Sequence, residues 1–208
     1  MTKIDPIMRT APVIPVLVIN DAKAGVRIAE ALVEGGLRVL EVTLRTAAAL
    51  DVIRAMKQVP GAIVGAGTVL NCQDLDSAIA AGAEFIVSPG LTEGLALGAR
   101  DRDIPFLPGV ATAGDIMRGL DLGLDRFKFF PAEASGGLKA LRALAAPFRH
   151  VRFCPTGGIT AASAPDWLAE EAVLCVGGSW LVGQGDPDPT TILAAATAAS
   201  RLGQPAWP

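Results

Sequence analysis

A single histidine, three cysteines and no long apolar run are what this 208-residue chain has least of, and each scarcity removes a class of function. With His150 alone, neither a Ser-His-Asp triad nor a histidine-rich metal site can be assembled. Cys72, Cys154 and Cys175 form an odd set in strand-like or loop contexts with no CxxC spacing. They read as reduced thiols, and no disulfide is expected. The opening stretch MTKIDPIMRTAP is broken by charge and proline before a signal-peptide core could form, and no later apolar run reaches the roughly 18 residues of a membrane span. The cytoplasm is the expected location, with no membrane partner. A net charge of -3 and a pI near 5.2 provide no basic field, and no Lys/Arg cluster is interleaved with aromatics, so nucleic acid is not an expected partner.

What the chain does have is apolar content: 51% of residues, with a mean hydropathy of +0.44, enough for a large core in one domain over residues 1–208. Runs rich in Val, Ile and Phe recur at 13–19, 39–44, 62–67, 85–88, 105–108, 126–130, 151–154 and 173–176. Each is followed by a turn and an Ala/Leu-rich segment with helical spacing. Asp21 and Asn71 stand where helices should be capped, while Gly35, Gly36 and Gly82 fall where helices should stop. About eight βα repeats predict an α/β fold, a (β/α)8 TIM barrel. A doubly wound sheet is the competing architecture, but its GxGxxG turn is missing after the first strand.

In such a barrel the reactive groups collect at the carboxyl ends of the strands. Lys128 lies in the apolar run RFKFFP, where flanking phenylalanines make an ammonium costly to hold and favour the nucleophilic amine. It shares a strand face with Arg126 and Phe130, whereas Lys3, Lys23, Lys57 and Lys139 fall in polar or helical contexts. On the second strand, period-2 alternation sets Glu41, Thr43 and Arg45 on one face. Two structural readings stay open, a Glu41–Arg45 ion pair or a buried Lys128–Glu41 pair; in the catalytic reading Arg45 acts as a cation beside Lys128 that further favours the amine. Small residues end the other strands: Gly65 to Thr68, Ser88-Pro89-Gly90 and Pro108 to Thr112. Glycine pairs follow the last two, Thr156-Gly157-Gly158 and Gly177-Gly178-Ser179, where barrels hold a phosphate on free N–H groups and a helix N-terminus. His150 precedes the seventh strand, toward the opposite end.

The strings LEVTLRT (40–46), VGAGTVLN (64–71), VSPGLT (87–92), LPGVAT (107–112), KFFPAEASGG (128–137), VRFCPTGGIT (151–160) and VLCVGGSWL (173–181) together resemble the 2-keto-3-deoxy-6-phosphogluconate aldolase family over nearly the whole chain. The resemblance implies a class I aldolase on a (β/α)8 barrel, a homotrimer needing no metal or organic cofactor. Such an enzyme splits its keto-acid phosphate substrate into pyruvate and glyceraldehyde 3-phosphate. Many members also cleave 4-hydroxy-2-oxoglutarate. Matched motif by motif, the Schiff-base lysine falls on Lys128, the general acid/base on Glu41, the pyruvate-carboxylate contacts on Arg45 and Thr68, and the phosphate contacts on Gly157, Gly158, Gly178 and Ser179. Pro89, Phe130 and Thr156 complete the expected substrate contacts. A departure at Ala113-Gly114, where the family often has proline, touches local rigidity and none of the chemistry. A different phosphosugar enzyme without a covalent lysine, or a non-catalytic phosphate-binding barrel, are the alternatives.

Overall fold

The structure is a computed structural model that describes residues 3–183 and 188–203. Its strands are β1 (Val13–Leu17), β2 (Val39–Thr43), β3 (Ile63–Gly67), β4 (Ile86–Val87), β5 (Phe106–Leu107), β6 (Gly109–Val110), β7 (Arg126–Phe129), β8 (Arg152–Pro155) and β9 (Val176–Gly178). All pairings are parallel. Six strands form one sheet in the order β5-β4-β3-β2-β1-β9, and three form another in the order β6-β7-β8. Isolated bridges, Phe153 with Val173 and Thr156 with Gly177, link β8 to the β9 segment. The sequence predicts about eight strands, whereas nine segments are found among the described residues. Pro108 interrupts the fifth run because its ring removes a ladder donor, leaving β5 and β6 in different sheets. The last strand begins at Val176 and not Val173, which makes only an isolated bridge.

The helices are α1 (Asp5–Met8), α2 (Ala22–Glu34), α3 (Ala49–Met56), α4 (Cys72–Ala80), α5 (Glu93–Asp101), α6 (Ala113–Asp121), α7 (Gly137–Ala145), α8 (Ala164–Leu168) and α9 (Pro189–Ser200). The expected caps form: Asp21 accepts from the Ala24 N–H and Asn71 from that of Asp74. Gly36 and Gly82 adopt φ of +95°, the left-handed geometry that ends α2 and α4 without a Cβ penalty. At the Ala113-Gly114 departure, α6 starts without proline on a Thr112–Asp115 capping box. Cys72 lies at the first position of α4, in neither a strand nor a loop. All three thiols are free. Among the described residues no helix is long and apolar enough to cross a membrane.

Two apolar clusters result. The larger joins the outward faces of the strands to the helices and includes Phe127, Phe129, Phe153 and Trp167. The smaller lies on the other faces, where Ile14, Val39, Phe85, Val87, Leu107, Cys154, Leu174 and Cys175 meet Ile4 and Met8. Ile4 and Met8 flank and end α1, a helix absent from the strand-and-helix pattern read from sequence. A proline at the start of this short helix is permitted because its missing N–H would be unsatisfied there anyway. The Asp5 carboxylate, 1% exposed, takes Arg126 Nε at 2.5 Å and Arg9 Nε at 2.6 Å. Arg126 also donates to the carbonyls of Asp125 and His150, so His150, just before β8, lies at the amino ends of the strands as expected.

Burial pushes the Asp5 carboxyl up, but hydrogen bonds from Arg9 and Arg126, with their charges, outweigh it and hold the carboxyl below its usual range. A depressed folded-state value contributes stability above the unfolded value, about 3.9, and that stability is lost as pH falls through the folded value. Asp5→Ala should therefore destabilise the protein by about 3 kcal/mol at pH 7, because Arg126 stays buried with its main partner gone. Urea unfolding should show the gap between the two proteins closing below about pH 4. A gap independent of pH would assign the loss to α1 packing and not to the ion pair.

Candidate active site

Of the residues with chemical potential, Lys128 and Glu41 come together most tightly. Lys128 Nζ lies 2.9 Å from Glu41 Oε1, and the two residues are 6% and 3% exposed. The contact crosses from the three-stranded sheet to the six-stranded one. Period 2 along β7 explains the lysine: Phe127 and Phe129 turn to the helical layer, so Arg126 and Lys128 turn the other way. The ammonium also sits 5.3 Å from the centroid of the Phe130 ring. Lys3, Lys57 and Lys139 are exposed.

Sequence alone leaves Glu41 free to pair with Arg45 or with Lys128. In the structure Glu41 pairs with Lys128, while Arg45 Nε reaches Thr68 Oγ1 at 3.3 Å. The charge beside Lys128 is thus a carboxylate, not the guanidinium that sequence suggests. Glu41 fits because β3 is bare where it passes: a Cβ on Gly67 would lie 2.2 Å from Glu41 Oε1. Thr43, buried beyond it, donates its hydroxyl to the Leu17 carbonyl at 2.9 Å and ties β2 to β1. Thr68 holds φ +60°, unusual for a β-branched residue and a mark of a constrained strand end.

The Arg45–Thr68 contact gives an exposed guanidinium beside a hydroxyl, just past the ends of β2, which carries Glu41, and β3, which carries Gly67. That is a place for a small carboxylate. Pro89 is exposed after β4, and its carbonyl closes against β6, where a Cβ on Gly109 would come within 2.1 Å. Phe130 is half-buried above Lys128.

A second group forms at the ends of β8 and β9. The Thr156–Gly177 bridge sets the turn at 156–158 beside Gly177 and Gly178, and a Cβ on Gly177 would strike Thr156 Oγ1 at 2.2 Å. Gly157 and Gly158 adopt φ of +104° and +83°. Among the described residues neither gives its N–H to a protein acceptor, so both can receive an anion. Ser179 is exposed at the end of β9. The expected helix N-terminus is not at this turn: α8 has five residues and starts only at Ala164, and a turn, not a helix, follows Ser179. Residues 184–187 lie outside the described part.

Sequence reading missed Glu133, whose backbone N–H donates to the Gly157 carbonyl at 3.1 Å and whose side chain accepts from the Trp167 indole. A single glutamate in a turn carries no periodic signal. Below the site, a hydrogen bond with Cys154 and complete burial both push the Cys175 thiol up, which keeps that sulfur protonated and inert.

A lysine and a carboxylate in contact, a guanidinium–hydroxyl pair and a glycine turn suit a ligand with a carbonyl, a carboxylate and a distal anion. The model of the KDPG and KHG aldolase family matches residues 4–194. The 2-dehydro-3-deoxy-phosphogluconate aldolase of Zymomonas mobilis is 62% identical over 200 residues, 96% of each chain. A crystal structure of the 2-keto-3-deoxy-6-phosphogluconate aldolase of Zymomonas mobilis with 3-phosphoglycerate superposes with a TM-score of 0.96 at 61% identity, over 97% of each chain. The KDPG aldolase of Legionella pneumophila, with pyruvate captured as a covalent carbinolamine, has a TM-score of 0.92 at 40% identity over 96% of this chain and 98% of its own. This chain belongs to the KDPG and KHG aldolase family.

Proposed function

We propose that this chain is a class I aldolase that cleaves 2-dehydro-3-deoxy-6-phosphogluconate to pyruvate and glyceraldehyde 3-phosphate, and 4-hydroxy-2-oxoglutarate to pyruvate and glyoxylate. One observation carries the reading: a buried lysine in contact with a carboxylate at 2.9 Å, in a member of a family where a pyruvate carbinolamine has been captured. Glu41 takes a proton from the Lys128 ammonium, and the freed amine attacks the C2 ketone. Glu41 returns protons to the carbinolamine oxygen, which leaves as water and yields the iminium. The iminium draws electrons from the C3–C4 bond as Glu41 removes the C4 hydroxyl proton. The aldehyde departs, the enamine is reprotonated at C3, and hydrolysis frees pyruvate and Lys128.

Arg45 and Thr68 hold the substrate carboxylate, a charge-assisted contact. Gly157, Gly158, Gly178 and Ser179 receive the phosphate, with Pro89, Phe130 and Thr156 lining the site between. The family resemblance also supports closure of the two sheets into one (β/α)8 barrel over residues 1–208, with β5 and β6 as halves of one strand broken at Pro108. It equally supports a cytoplasmic homotrimer that works without a metal or organic cofactor.

Borohydride added with pyruvate should inactivate the protein and leave a mass increment on the peptide containing Lys128, and Lys128→Ala should stay folded yet lose essentially all cleavage. A label on Lys139, or none at all, would sink the assignment. Gly67→Ala should push Glu41 off Lys128 and lower kcat about 100-fold, the scale of a 1 Å misplacement; kcat within threefold of the parent would mean that Glu41 has room to adapt. Ser179→Asp sets a carboxylate beside the phosphate at a cost of about 1 to 4 kcal/mol. Its kcat/KM for the phosphorylated substrate should fall about tenfold or more, with much less change for 4-hydroxy-2-oxoglutarate. Equal losses on both substrates would make Ser179 a structural residue.

A further inference from the structure

Trp167 is fully buried in α8, packed 6.3 Å from the Phe129 ring centroid, and its indole N–H needs an acceptor there. Glu133 supplies it, with Oε1 accepting at 3.2 Å. Glu133 belongs to the turn after β7, three residues beyond Phe130, while Trp167 follows the glycine turn after β8. The side chain therefore spans the glycine turn from one flank to the other.

Three further contacts fix that turn beneath the span. The Ala132 N–H donates to the Thr156 carbonyl at 2.8 Å and the Glu133 N–H to the Gly157 carbonyl at 3.1 Å. The stem of Glu133 lies against Gly158, where a Cβ would fall 2.7 Å from both Cβ and Cγ of Glu133. With both carbonyls of the turn engaged from the Glu133 side, the peptide planes are set, and with them the direction of the Gly157 and Gly158 N–H groups. Two adjacent glycines at positive φ have many other conformations to visit, so this anchoring decides how well the turn is pre-organised for an anion.

We propose that Glu133 is a positioning residue for the phosphate end of the site: clamped by the Trp167 indole, it holds the Gly157-Gly158 turn in its anion-receiving conformation and so sets the preference for phosphorylated over unphosphorylated substrates. The inference rests on the aldolase reading above. Glu133 itself touches no reacting atom; its Oε1 accepts from the indole.

Glu133→Gln keeps an acceptor oxygen for the indole at nearly the same volume, whereas Glu133→Ala removes the acceptor and the stem over Gly158. Glu133→Ala should raise KM for 2-dehydro-3-deoxy-6-phosphogluconate about tenfold, and weaken competitive inhibition by inorganic phosphate to a similar degree. Its kcat, its rate of borohydride trapping with pyruvate and its cleavage of 4-hydroxy-2-oxoglutarate should stay within about twofold. Glu133→Gln should restore KM to near the parent value. Trp167→Phe, which removes the N–H that clamps Glu133, should shift KM in the same direction as Glu133→Ala and serves if the alanine variant does not fold. Equal loss on both substrates, failure of glutamine to rescue, or unchanged phosphate inhibition in the alanine and phenylalanine variants would overturn the proposal. A parent protein that traps no pyruvate and cleaves neither substrate would overturn the aldolase reading and this inference with it.

Discussion

Everything near the reactive end is arranged around one unfavourable act, the burial of an ammonium and a carboxylate. Desolvating each ion costs several kcal/mol, and their attraction repays this only at good geometry. The 2.9 Å contact between Lys128 and Glu41 meets that requirement, and the surrounding residues serve to preserve it. Gly67 leaves the space the carboxylate occupies, the Phe130 ring faces the ammonium, and the apolar layer beneath excludes water from below. In the proposed mechanism the pair is also what catalysis has to break, since the lysine would lose its proton to the same carboxylate before it bonds carbon. Holding the charges in contact keeps that transfer short.

A second buried pair mirrors the first at the other end of the same strand. Arg126 and Lys128 both point away from the helical layer, and each meets a carboxylate from a distant part of the chain, Asp5 from α1 and Glu41 from β2. The Arg126 pair closes the amino end and the Lys128 pair opens onto the carboxyl end. Ile4 and Met8 come with Asp5 and complete the inner apolar cluster. One face of a four-residue strand thus carries both the support of the interior and its chemistry.

The sequence exposed much of this because its signals were local. Helix caps at Asp21 and Asn71, stops at Gly36 and Gly82, and the alternation around Lys128 each depend on near neighbours and were legible. What escaped depends on partners far along the chain. The plug α1 is too short for a helical period, and its value lies in Arg126, 121 residues away. The partner of Glu41, 87 residues off, was open between Arg45 and Lys128 because alternation fixes a face but not the neighbour across it. The break at Pro108 follows from a missing N–H that matters only once adjoining strands are present. The glycine turns were visible as composition, but the Glu133–Trp167 contact beside the 156–158 turn was not, since it joins a turn to α8 through a single hydrogen bond.

The double cation on β7 bears on how this lineage can change its length. A strand has period 2, so a slip of one residue would turn Arg126 and Lys128 into the phenylalanine-filled helical layer and bring Phe127 and Phe129 against Asp5 and Glu41. Glu41 would then be buried without its cation, and Asp5 would keep only Arg9. An insertion or deletion in the approach between α6 and β7 has to be absorbed entirely by that connection, at 122–125, and none of it can be passed into the strand. Drift in chain length is thereby diverted to connections that lead into strands without paired charges, and β7 acts as a fixed ruler against which the rest of the molecule can lengthen or shorten.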